Sequence, residues 1–92
     1  MEIRWARSAT KHRVSRARSE HAVRNAVAII DQPTPQGSPH HDDRVVFLRP
    51  DPDNTMLEVI GIETAAGLLV IHAMPIRPKY LDYLQGVSDE QE

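Results

Sequence analysis

Apolar positions in this chain follow two different rhythms. Val23, Ala26, Val27 and Ile30 recur at i, i+3, i+4 and i+7, which is one apolar stripe on a helix. Ser15 stands where that helix would begin, and its hydroxyl can accept from an otherwise unpaired backbone N–H. The spacing predicts a helix that starts at Val14-Ser15 and is stopped by Pro33. Arg16, Glu20 and Arg24 lie off the stripe, and Arg18 at the third helical position closes no capping box. Ahead of this helix, Glu2-Ile3-Arg4-Trp5 reads as a short strand and Ala6 to Lys11 as one or two helical turns ending near His12-Arg13.

From Arg44 the rhythm becomes one of short apolar runs separated by turn residues. Arg44 to Arg49 reads as a strand with Val45, Phe47 and Arg49 on one face and Val46 and Leu48 on the other. Pro50 to Asn54 turns the chain, Met56 to Glu63 is a second strand, and Thr64-Ala65-Ala66-Gly67 a hairpin turn. Leu68 to Met74 is a third strand, apolar on both faces up to His72, as expected for an interior position in a sheet. Lys79 to Leu84 suits a short terminal helix, and the polar, acidic residues 85–92 suit a disordered tail. Between helix and strands, Gln32 to Asp43 carries Pro33, Pro35, Gly37 and Pro39, a long loop that is either mobile or part of a site. The expected fold is one α+β domain over residues 1–84, with two layers: N-terminal helices on one face of a three- to four-stranded antiparallel sheet.

Composition narrows the classes. Ninety-two residues allow one domain, and with only four aromatics the core must be built from Val, Ile, Leu and Ala. So thin a core leaves room for a folding partner or a homodimer. The absence of cysteine excludes a disulfide framework and thiolate metal sites and fits a reducing cytoplasm. No segment has the continuous apolar length of a signal peptide or a membrane span, so a soluble, cytoplasmic protein is expected. The net charge of −2 conceals a split. Residues 1–24 hold seven basic side chains against Glu2 and Glu20, and residues 25–92 hold four basic against eleven acidic. The N-terminal third can therefore present an electropositive face to phosphates or to an acidic partner, or simply expose solvated arginines.

The run His72-Ala73-Met74-Pro75-Ile76-Arg77-Pro78-Lys79-Tyr80 concentrates the chemistry. Metal-independent RNA cleavage needs a base for the 2′-OH proton, cations for the developing phosphorane charge and an acid for the departing 5′-oxygen. His72 has the residue type for proton transfer, Arg77 a planar fork suited to phosphate, and Lys79 a second cation. Tyr80 could stack on a base or pack in the core, and Arg44 and Arg49 could join the cluster from the neighbouring strand. His12 is the second imidazole: it either faces the same cleft or ends the first helix. Glu58 shares a strand face with Met56, Ile60 and Ile62, so that face is partly solvated or the carboxylate pairs with an arginine such as Arg49. On these grounds Arg77→Ala would abolish cleavage and leave thermal stability nearly unchanged. His40-His41-Asp42-Asp43 has ligand types for a transition metal, but adjacent ligands in a Pro-rich loop usually form a solvated turn. No metal or other cofactor is expected.

Lys11-His12 before a Ser-initiated helix, Asp43-Arg44 opening a strand, and the closing His72-Ala73-Met74-Pro75 with Arg77, Lys79 and Tyr80 together resemble the small BrnT-like toxins and the related DUF4258 proteins. Those belong to the RelE-like set of bacterial type II toxin–antitoxin systems. The resemblance spans roughly residues 3–84. It implies a RelE/BrnT-like ribonuclease fold, RNA as substrate (mRNA, whether free or at the ribosome), no metal in the reaction, and a cognate antitoxin as partner. By position, Lys11 and His12 match a Lys-His pair that usually precedes a Gly, here replaced by Arg13, and Arg77 and Lys79 match basic positions after the final strand. The competing reading is a non-catalytic binding module that uses the Arg-rich N-terminal third for a protein or nucleic acid and His72 for packing.

Overall fold

The computed structural model describes residues 2–32, 43–51 and 55–84. Five strands form one sheet: β1 (Ile3–Trp5), β2 (Ala28–Gln32), β3 (Arg44–Pro50), β4 (Met56–Thr64) and β5 (Gly67–Pro75). Their order across the sheet is β1-β5-β4-β3-β2. β2 to β5 form an antiparallel meander, whereas β1 runs parallel to β5 and pairs Ile3, Arg4 and Trp5 with Leu68, Leu69 and Val70. The fold class stays α+β, but the expected RelE/BrnT-like arrangement is corrected. The sheet is mixed and five-stranded, and the N-terminal helical part is only a 3-10 turn, Arg7–Thr10, and a nine-residue helix α1, Arg16–Arg24.

α1 begins where the sequence places it: the Ser15 side chain accepts from the Arg18 N–H at 3.2 Å. It ends well short of Pro33. Asn25 closes it by donating its backbone N–H to the His21 carbonyl at 3.0 Å, and the apolar run beyond becomes β2. A run of β-branched residues gains a ladder against β3 that a surface helix could not offer, and there Ile30 lies opposite Val46 in a buried layer. The buried side of α1 is set by Ser19, Ala22 and Val23, and the Ser19 hydroxyl accepts from Trp5 Nε1 at 2.8 Å, tying helix to sheet.

Each sheet face has its own core. On the α1 side, Val14, Ala22 and Val23 pack with Val45, Phe47, Leu57, Val59, Leu68, Val70 and Ala73. On the other side, Ile30, Val46, Leu48 and Ile60 are covered by Ile76, Tyr80 and Leu84, so the C-terminal residues 76–84 act as a strap across the sheet. The strap contains a 3-10 turn, Pro78–Tyr80, running into one helical turn through residue 84, close to the expected terminal helix. The 64–67 hairpin is also found, its Thr64 hydroxyl accepting from the Ala66 N–H at 3.2 Å. Gly67 there has a φ of 133°, and a Cβ would sit 2.3 Å from the Glu2 carbonyl oxygen. Glycine is what lets β1 approach β5.

Candidate functional site

An irregularity in β5 builds the site. Ile60 pairs with His72 and Gly61 with Val70, leaving Ile71 as an extra residue. Before the bulge Leu68 and Val70 point into the α1-side core, and after it Ala73 does. Strict alternation would have sent His72 there as well. The bulge instead sets it beside Glu58 on the strap side, while Ile71 packs in the strap-side core. At Gly61, opposite the bulge, a Cβ would lie 2.6 Å from a Leu68 methyl carbon, so any side chain there would make Leu68 shift.

Glu58 is fully buried on β4 between Leu48 and Met74. A lone carboxylate there would be costly, and Arg77 compensates it. The Arg77 backbone N–H donates to Glu58 Oε1 at 2.7 Å, and Nε and Nη2 donate to Oε2 at 2.9 and 2.7 Å. That bonding holds the guanidinium protonated still more firmly than usual. The expected partner for Glu58, Arg49, lies on the opposite face: it is paired with Leu57 and alternates with Phe47 on the α1 side, where its Nε is buried without a partner. Arg44 has the strap-side parity but lies opposite Ile62, well up the strand from Glu58. Neither arginine joins the cluster.

His72 Nε2 is buried without a hydrogen bond, 3.4 Å from Glu58 Oε2. Burial pushes its pKa below 6.5; Glu58 acts against this, and Arg77 and His12 add to it. The imidazole is therefore neutral at physiological pH. His12, exposed on the turn after the first 3-10 helix, brings its ring to 5.3 Å from that of His72 at a tilt of 59°. That turn is carried to β5 because the 3-10 helix continues along its edge where β1 stops: Ala6 N–H donates to the Val70 carbonyl at 2.9 Å and the Ser8 hydroxyl to the Ile71 carbonyl at 2.6 Å.

Tyr80 is not available to a base. It is 2% exposed, accepts from Gln32 Nε2 at 2.8 Å, and has Arg77 and Lys79 cations 5.7 and 5.0 Å from its ring centre. Lys79 itself is exposed beside it, and Lys11 is exposed in the turn next to His12. The structure thus assembles His12, His72 and Arg77, with Glu58 beneath them, while Lys79 lies against the Tyr80 ring. From the sequence Glu58 lies on a partly solvated face or pairs with an arginine such as Arg49, which makes it an orienting group or, less readily, a general base; nothing in the sequence marks Gln32 as the partner of Tyr80. Of the possible metal ligands His40 to Asp43, only Asp43 lies within the described residues, among which no group of three or more His, Asp or Glu could hold a metal.

No family model matches this chain, nor does any curated protein or solved structure. Among the described residues, no helix is long and apolar enough to cross a membrane.

Proposed function

We propose that the protein is a metal-independent endoribonuclease of the toxin–antitoxin kind, cytoplasmic, acting on mRNA and held inactive by a cognate antitoxin. The observation carrying this reading is the pairing of His12 and His72, rings 5.3 Å apart, next to the Arg77 cation that shares Glu58 with His72. One imidazole as base and one as acid supply the two proton transfers of transphosphorylation. A neutral His72 with its proton on Nε2, toward Glu58, turns the Nδ1 lone pair away from that carboxylate and offers it as the base. It takes the 2′-OH proton, the 2′-oxygen attacks phosphorus, and the 5′-oxygen leaves with a proton from His12. The products are a 2′,3′-cyclic phosphate and a 5′-hydroxyl.

The test is cleavage of a labelled RNA and its all-deoxy counterpart in excess chelator. The expected result is cleavage of RNA alone, lowered about 100-fold by His12→Gln or His72→Gln. Undiminished cleavage in the double variant would remove the histidines from the chemistry. A non-catalytic binding module is the second reading, favoured by one observation: Glu58 already occupies the fork of Arg77 that would grip a phosphate. RNA binding that weakens steeply with salt and is never followed by cleavage would select it.

A further inference from the structure

We propose that protonation of His72 releases the strap, residues 76–84, from the sheet, so that this segment is docked at neutral pH and lifts in acid. The proposal is independent of the ribonuclease reading and concerns the folded protein alone.

Its basis is the crowding of cations around one carboxylate. Glu58 Oε2 already receives two N–H groups from Arg77, and His72 Nε2 waits 3.4 Å away, shielded from water and without a hydrogen bond. The charged or titratable groups facing His72 are Glu58 from β4, Arg77 from the strap and His12 from the turn after the first 3-10 helix. Only Glu58 favours an imidazolium. Burial, Arg77 and His12 all oppose it, so a proton added to the imidazole must either be refused or be accommodated by moving something.

The strap is the piece best able to move. β4 and β5 are locked by a ladder running from Leu57↔Pro75 to Thr64↔Gly67. The strap's polar ties among the described residues are fewer: the Glu58 contacts of Arg77, the Ile76 N–H on the Met56 carbonyl at 2.9 Å, and the Tyr80 hydroxyl with Gln32. Much of its surface already meets solvent, with Leu81 44% and Tyr83 50% exposed. Lifting it hydrates His72 and withdraws the Arg77 cation that opposes its charge. It also uncovers the apolar strap-side face of the sheet.

Hydrogen exchange of the 76–84 amides, corrected for intrinsic rates, tests this at pH 7.5 and 5.5. Protection in the wild type should fall by up to about tenfold per pH unit below 6.5, whereas amides of β4 and β5 keep theirs. His72→Gln should abolish the fall, and His12→Gln should retain it. A strap equally protected at both pH values, or a fall that persists in His72→Gln, would overturn the proposal. Should His72→Gln not fold, NMR titration of the wild type decides: the His72 ring and the Arg77, Lys79 and Tyr80 amides must titrate together, and independent midpoints would refute the link.

Discussion

Arg77 grips Glu58 with backbone and side chain at once, its N–H on one carboxylate oxygen and its guanidinium on the other. This contact makes Arg77 structural as well as chemical, and it replaces the expectation that its removal leaves stability intact. Arg77→Ala should cost about 3 kcal/mol, the lower end for a broken buried pair because the arginine side chain is partly exposed. Urea unfolding would show it. Exchanging both partners for methionine should recover most of the loss, since no buried charge is then left alone.

Acid should weaken the whole fold through His72. Its folded pKa lies below 6.5, so neutral His72 contributes stability that is fully present above that value and is lost as pH falls through the depressed one. Denaturation midpoints measured from pH 7.5 downward should decline more steeply for the wild type than for His72→Gln. Parallel curves would mean that the buried nitrogen carries no such penalty.

Arg13 has a φ of 64°, in the left-handed region where a Cβ is unfavourable. Arg13→Gly should therefore raise stability by about 0.5–1 kcal/mol, the relief of strain exceeding the added freedom of the unfolded chain. A thermal melt would register this as a gain of several degrees.

Gly67→Ala should do the opposite. The added methyl group meets the Glu2 carbonyl, and the backbone there is already outside the range L-residues favour. A loss of about 2–3 kcal/mol is expected. It should be accompanied by faster exchange of the Leu68 amide, which donates to that same carbonyl at 2.9 Å.

Much of the architecture could be read from residue order. The Ser15 cap, the hairpin at 64–67 and the strands at Arg44, Met56 and Leu68 follow from local pattern and turn chemistry. Ala28–Gln32 could not be read that way: its spacing fits a helical stripe, and only the presence of β3 alongside decides for a strand. The bulge at Ile71 was equally hidden, being a property of two strands in register, and with it the side of the sheet to which His72 belongs. For the site, the pair His72 and Arg77 was legible because the two residues are close in sequence. The strand parity that separates Arg49 from Glu58 was available in the sequence too, but it gains meaning only once the Glu58 side of the sheet is known.

The parallel pairing of Ile3–Trp5 with Leu68–Val70 also governs the order of assembly. During synthesis, the earliest strand has no ladder partner until the final hairpin has been made. Trp5 must spend that interval solvated, or resting on α1, before it is sealed. A chain halted before β5 has emerged would therefore leave β1 without a partner, an edge of β4 unpaired and the strap-side face uncovered, the state in which it is most open to wrong associations.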